Sequence, residues 1–301
     1  MGIKKFLLRV AKNFKFLPKK TFLKIRYQYY TGKKLNLENP IEFNEKIQWL
    51  KLYYHIPLLT QLADKYKVRE YVSKKIGEQY LNELYGVYDC VDKIDFSLFP
   101  SKFVLKGVHA SSTNLVVTDK KKLDINKTKR LLKKWLKHDQ YKKVGYEWAY
   151  KNIKPLIICE AYLEDSNENL IDCKFYCFNG TPKFVFFSLI NNTNTQRFVN
   201  YYDLKWNEFP VSKGLKNVTK HSFEKPDNFD EMINLATKLA DNLPFVRVDF
   251  YNINEKIIFG EMTFYPSDGK RDYYPDKYNK IIGDYITLPK IPENEKIITV
   301  Y

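Results

Sequence analysis

The sequence predicts an α+β protein built on antiparallel sheets behind a helical N-terminal region. Three observations carry this. Apolar residues in the first hundred positions recur at helical spacing. Strands crowd the later chain and neighbour one another in sequence, which favours antiparallel pairing. Two hairpins are legible there: one turns at Asn179-Gly180, and one joins FVRVDFY (245–251) to KIIFGEMTF (256–264).

The elements follow in order. Ile3, Phe6, Leu7, Val10 and Phe14 line one stripe of a basic amphipathic helix. Helices are predicted over Glu42–Tyr54, with Ile47, Leu50 and Tyr54 inward, and over Leu58–Lys75, with Leu62, Tyr66 and Val72 inward. Tyr80–Asp89 leads into an extended segment, and Pro100 breaks the chain. FVLKG (103–107) and NLVVTD (114–119) read as paired strands around a small polar loop. A basic helix is expected over Asn126–Lys143, then a buried strand in PLIICEAYL (155–163). The hairpin of IDCKFYCF (171–178) and KFVFFSLI (183–190) alternates Asp172, Lys174 and Tyr176 against Cys173, Phe175 and Cys177. Residues 191–229 read as a polar loop region, Asp230–Leu243 as a helix, and YPSDG (265–269) as a turn after the last hairpin.

Composition narrows the function. The 301 residues are 44% apolar, enough for a substantial core. No apolar run reaches the roughly 18–20 residues that cross a bilayer, and the N-terminus lacks the apolar core and cleavage site of a signal peptide. Cys90, Cys159, Cys173 and Cys177 form no CxxC pair and no zinc pattern, so they read as reduced thiols of a cytoplasmic protein. Position 6 is Phe, so Gly2 is no myristoylation signal. Of the net charge of +16, eleven positive charges lie in residues 1–34, which hold no acid. Residues 1–24 therefore suit an anionic membrane surface, which would place the protein peripherally at the inner face of the membrane. They suit equally a helix packed on its own domain. Nucleic acid is disfavoured, because no binding motif accompanies the charge.

The hairpin at 245–263 carries the chemistry. Arg247 and Asp249 are two apart and share a face. With a turn over Asn252–Glu255 centred on Asn254, Arg247 lies opposite Glu261, with Thr263 on the same side. Three charges in a buried sheet call for an ionic partner. An Asp and a Glu on adjacent strands can hold Mg²⁺, and an Arg beside them a phosphate. A structural Arg–carboxylate cluster explains them equally well. Lys106 ends a buried strand before Gly107-Val108-His109-Ala110-Ser111-Ser112, a loop small enough for backbone N–H groups to approach phosphate. Ile157, Ile158, Ala161 and Leu163 could form an apolar slot for a purine, with Glu160 or Glu164 reaching a ribose hydroxyl; a plain core strand is the other reading. His109 is a candidate substrate contact. So are Arg197 and Lys205, in a loop with Tyr201, Tyr202 and Trp206 that can stack on a sugar and grip a carboxylate.

Six segments, DKYKVREYV (64–72), FVLKGVHASSTN (103–114), PLIICEAYL (155–163), DCKFYCFNGTPKF (172–184), FVRVDFY (245–251) and FGEMTFYPSDG (259–269), occur in the order used by the ATP-grasp superfamily. The chain most resembles its TupA-like branch, linked to teichuronopeptide and other surface polysaccharides. The resemblance implies an ATP-grasp-like fold, with nucleotide held between two antiparallel-sheet lobes. It divides the chain into a basic arm (1–34), a helical N-terminal domain (35–100), a small lobe (101–165) and a C-terminal lobe with the metal site (166–301). It implies that Arg69 and Lys106 meet the nucleotide phosphates and that Ser111 and Ser112 lie in the covering loop. Glu160, Ala161 and Tyr162 match the adenine hinge, and Asp172 or Lys174 is similar in placement to nucleotide contacts on the next strand. Arg247 matches the cation on the transferred phosphate; Asp249 and Glu261 match Mg²⁺ ligands. Thr263 stands where family members carry Asn, so it can offer only a hydroxyl. The implied cofactors are ATP and Mg²⁺. The implied reaction joins a carboxylate-bearing sugar or amino acid to an amine through an acyl phosphate, in capsule, exopolysaccharide or teichuronopeptide biosynthesis. Three alternatives remain on the sequence: a glycosyltransferase, for which no convincing Asp-x-Asp is present, a non-catalytic module binding membrane or glycan through its basic arm, and a kinase that stops at phosphorylation.

Overall fold

Two sheets meet at a cleft, and each is backed on its far side by its own apolar layer. The computed structural model describes residues 3–165, 169–191, 197–213 and 219–300. Helices α1 (Ile3–Ala11), α2 (Lys19–Thr31), α3 (Phe43–Tyr53), α4 (Leu58–Ala63) and α5 (Val68–Ile76) precede strand β1 (Leu84–Tyr88). Strands β2 (Phe103–Gly107) and β3 (Asn114–Val117), helices α6 (Ile125–Leu136) and α7 (Gln140–Lys143), and strand β4 (Ile157–Ala161) follow. Then come β5 (Asn169–Phe178), β6 (Thr181–Asn191), β7 (Arg197–Asp203), β8 (Thr219–Lys220), helix α8 (Phe229–Ala240), β9 (Phe245–Ile253), β10 (Lys256–Thr263) and helix α9 (Lys277–Asp284). The small sheet has the order β1-β4-β2-β3 and the large one β10-β9-β5-β6-β7-β8. All pairings are antiparallel except β7 with β8. The architecture is the mixed α+β arrangement of two largely antiparallel sheets with helices that the sequence predicts.

Alternation along β5 and β9 divides the large sheet into two faces. Cys173, Phe175 and Cys177 on β5, with Val246, Val248 and Phe250 on β9, are buried against Phe229, Met232, Leu235 and Leu239 of α8. Each such side chain contributes about 1.5–3 kcal/mol on burial. The charged residues are left on the opposite face. The small sheet is backed by Phe96, Phe99, Leu132 and Trp135.

Several expectations need correction. Leu58–Lys75 is two helices, because the Asp64 side chain accepts the Tyr66 and Lys67 N–H groups at 2.9 and 3.1 Å and turns the chain. Asn126–Lys143 likewise breaks before Asp139, which caps α7 through the Lys142 N–H at 2.9 Å. The small sheet starts earlier than residue 101, since β1 is its edge strand. Only part of the N-terminal arm projects. Phe22, Leu23 and Tyr27 of α2 are buried, whereas Phe6, Leu7 and Val10 of α1 are exposed.

The 245–263 hairpin turns on Asn254 and Glu255, both at positive φ (48° and 64°), not on a loop centred at Asn254. Its register shifts between Phe259 and Glu261. Glu261 therefore faces Asp249, and Thr263 faces Arg247. The bulge absorbs Gly260. Regular pairing would have put Glu261 opposite Val248, on the apolar side.

Candidate active site

The charged face of the large sheet is assembled from three adjacent strands. Lys174 on β5 pairs with Asp249 on β9, and Tyr176 with Arg247. Arg247 donates through Nε and Nη2 to the two oxygens of Asp249, each at 2.6 Å, and through Nη2 to Glu261 Oε1 at 3.0 Å. Lys174 Nζ bridges Asp249 Oδ2 at 2.6 Å and Asp172 Oδ1 at 2.8 Å. The Thr263 hydroxyl donates to Glu261 Oε1 at 3.0 Å, so here it orients that carboxylate. Two carboxylates thus converge on one guanidinium nitrogen.

Exposure separates the two acids. The Asp249 side chain is only 3% exposed, and that of Glu261 is 42% exposed to the cleft. Burial raises the Asp249 carboxyl, against the pull of Arg247 and Lys174. Burial also opposes ionisation of Glu261, but Arg247, Lys65 and Lys174 outweigh it and hold its pKa down to about 2.

Facing these strands, β2 and β4 contribute a second cluster. Lys106 Nζ donates to Glu160 Oε2 at 2.6 Å, and Arg69 Nη1 to Glu160 Oε1 at 3.4 Å. Arg69 also donates to the Asn82 carbonyl at 2.8 Å. Lys65, Arg69, Lys106, Glu160, Tyr251 and Glu261 line a slot of about 40 Å³ between the sheets. Ala161 spends both backbone groups on the preceding segment: its N–H donates to Glu83 O at 3.0 Å, and its carbonyl accepts from Asn82 Nδ2 at 2.9 Å. Lys102 lies over the Tyr162 ring, 5.6 Å from its centroid.

Beside the slot opens a larger cavity of about 380 Å³ lined by Arg247, Glu261, Thr263, Ser111, Glu147 and Tyr150. Val144, Tyr265 and the segment Pro266–Arg271 complete its wall, and that segment is held in place by buried polar side chains of α3. Gln48 Nε2 donates to the carbonyls of Asp268 and Gly269, each at 2.8 Å, and Asn44 to the Arg271 carbonyl at 2.9 Å. Lys51 binds the Asp268 carboxylate, with Arg26 at 2.9 Å and Lys270 at 3.1 Å completing its shell. Burial opposes ionisation of Asp268, but Lys51, Lys270 and Arg26 keep its carboxyl below the usual range. Ser111 enters the cavity wall while accepting from Gln140 Nε2 at 3.0 Å. Ser112 is exposed, at φ 58°.

The remaining candidates lie elsewhere. His109 is buried, its Nε2 against the Trp135 carbonyl at 3.0 Å, and it lines a different cavity of about 460 Å³. Lys205 sits in an exposed turn closed on Asp203. Arg197 begins β7, and its side chain lies outside those described; so do residues 192–196 and 214–218 of the same region. Trp206 stacks on Tyr202 with centroids 4.2 Å apart, which fills its role in the core.

Two residues of the site escaped sequence reasoning. Lys65 donates to the Ala110 carbonyl at 2.6 Å, which ties it to the loop after β2. Burial lowers its pKa, with Glu261 pulling the other way. The Asp64 turn was the available signal. Glu147 is buried, and nothing in its local sequence marks it. Among the described residues, no group of three or more His, Cys, Asp or Glu side chains could hold a metal. Asp249 and Glu261 form an acidic pair.

No curated protein sequence matches the chain. Among solved structures it is similar to D-alanine–D-alanine ligase from Bacillus anthracis at 14% identity and a TM-score of 0.41, covering 73% of this chain and 64% of that one. The corresponding ligase from Helicobacter pylori gives 15%, 0.41, 75% and 61%. The L-amino acid ligase from Bacillus licheniformis gives 10%, 0.42, 84% and 55%. The chain therefore spans less than two thirds of the length of each, and likeness at this level carries no argument beyond the family match. The family model described as TupA-like ATPgrasp matches residues 45–287, most of the chain. ATP-grasp enzymes use ATP and Mg²⁺, and with the slot, the acidic pair and the match in agreement, the chain belongs to the TupA-like ATP-grasp family.

Proposed function

We propose that the protein is an ADP-forming carboxylate–amine ligase that works through an acyl phosphate. Its acid substrate is a uronic acid or an amino acid on a surface-polysaccharide precursor, and its second substrate is an amine. The observation that supports this most is the convergence of Asp249 and Glu261 on Arg247, across a narrow slot from Lys65, Arg69 and Lys106.

The donor set fits Mg²⁺. Both acids bring hard oxygens together beside Arg247 Nη2, and Mg²⁺ is commonly held by one or two carboxylates with phosphate oxygens and water completing its shell. Asp249 and Glu261 would hold the ion, with Thr263 orienting Glu261. When bound, Mg²⁺ neutralises phosphate charge. The protein's own groups do the rest. Lys65, Arg69 and Lys106 place three cations on the opposite wall for the phosphates, and Glu160 holds two of them in position. Arg247 is directed at the cavity by Asp249, where a phosphoryl group passing to an acid would meet its guanidinium. Catalysis of this kind is positioning and charge neutralisation; no protein nucleophile is required.

The test is ADP release with Mg²⁺ across uronic and amino acids, with hydroxylamine as trap. Acid-dependent ADP release with hydroxamate formation is expected. ATP hydrolysis indifferent to every acid, or sugar-nucleotide binding without ATP binding, would overturn the reading, the latter in favour of a glycosyltransferase.

A further inference from the structure

We infer that Glu147 receives the amine: it binds the acceptor's ammonium group and takes its proton. The inference rests on the ligase reading and adds a residue and a substrate property to it.

Glu147 is 5% exposed and lines the same cavity of about 380 Å³ as Arg247 and Glu261. It belongs to neither charged cluster described above. The loop that carries it is shaped to place it there. Gly145 adopts φ +64°, and a Cβ at that position would lie 2.5 Å from an Asp268 oxygen, so the chain passes directly over that carboxylate. Three cations already serve Asp268, and of these Lys270 lines the cavity with Glu147. Burial and the neighbouring Asp268 push the Glu147 pKa up to about 8, with Lys51, Gln140 and Lys270 acting against them. The phenols of Tyr150 and Tyr265 lie in the same field. A buried carboxylate that gains a cation recovers the cost of its burial. An ammonium group supplies that cation, and a base with a pKa near the working pH is suited to the transfer.

The chemistry balances. An N–H bond of the ammonium breaks, its proton goes to a Glu147 carboxylate oxygen, and the electron pair stays on nitrogen. Nitrogen forms the C–N bond to the acyl carbon as the C–O bond to phosphate breaks. Phosphate leaves with the electrons of that C–O bond and takes the second nitrogen proton. Glu147 returns its proton to solvent through the cavity.

Hydroxylamine, largely unprotonated at neutral pH, does not need this base; ammonium and the amino groups of amino acids do. Wild type and Glu147→Gln would be compared with ATP, Mg²⁺ and a pool of uronic and amino acids, using hydroxylamine in one arm and ammonium or the pool's own amines in the other. The expected result is that the variant keeps hydroxamate formation near wild type and loses amide formation by on the order of a hundredfold. In the variant, the residual rate should rise with pH only as free amine does. Unchanged amide formation, or equal losses in both arms, would overturn the inference while leaving the ligase reading standing. A wild-type protein that makes no hydroxamate from any acid would overturn both.

Discussion

Asp249 holds two cations and Glu261 shares one, and this decides how each should be tested. Glu261→Gln removes a half-exposed acid. ADP release should fall on the order of a hundredfold or more with little change in melting temperature. Asp249→Asn should abolish turnover too, but it strands buried Arg247 and Lys174 and should cost roughly 3–5 kcal/mol of stability in denaturant titrations. Glu147 makes a pH prediction. Its folded pKa of about 8 stands above the ordinary 4.5, so the folded state binds the proton more tightly. The resulting stability is present below about pH 4.5 and is lost as pH rises through about 8. Melting temperatures of Glu147→Gln should lack that decline; a parallel decline in both proteins would contradict the assignment. Arg247 and Asp249 were legible in the sequence because strand alternation puts residues two apart on one face whatever the tertiary packing, whereas Glu261 joins them through the bulge. Glu147 was not legible, because its burial depends on a loop seated by Asp268, more than a hundred positions away.

At the scale of elements, the hairpin register was misread by one residue, yet its acids and Arg247 still meet. The bulge at Gly260 reconciles the two. No periodicity announces a bulge; a lone Gly within a strand is the only sign. A Cβ at Gly260 would stand 3.1 Å from the Asp249 carbonyl oxygen and 3.3 Å from the Tyr251 ring. Gly260→Val should therefore destabilise by about 1–3 kcal/mol and lower ADP release; wild-type melting and turnover would show that the bulge has no such role. The basic arm divides differently from its charge pattern. Phe22 and Leu23 are core, so removal of residues 1–24 would damage the fold. Removal of 1–16 takes away α1, its exposed apolar stripe and two exposed hydrogen bonds, Lys12 to Tyr30 and Tyr146 to the Lys15 carbonyl. That truncation should keep the melting temperature and reduce flotation with anionic liposomes; undiminished flotation would assign α1 another purpose.

Across the whole molecule, the hairpins β2–β3, β5–β6 and β9–β10 and their alternating faces can be read along the chain, whereas the pairings of β4 with β1 and β2, and of β5 with β9, join strands distant in sequence and cannot. The loop from Pro266 to Arg271 cannot be read that way, since its anchors Asn44, Gln48 and Lys51 lie on a helix whose polar residues look solvent-facing in sequence. The slot between the sheets, about 40 Å³, holds little more than one water, far less than a triphosphate. Nucleotide entry must part Glu160 from Lys106 and Arg69 and separate the sheets, as lobes closing on a ligand do. The claim on which the rest stands is that Asp249 and Glu261 hold Mg²⁺ against a triphosphate gripped by Lys65, Arg69, Lys106 and Arg247. Calorimetric titration of ATP, with and without Mg²⁺, into wild type and Glu261→Gln tests it most directly. Mg²⁺-dependent binding by the wild type, weakened tenfold or more in the variant (about 1.4 kcal/mol), is the predicted result. ATP binding indifferent to Mg²⁺, or equal in both proteins, would contradict it.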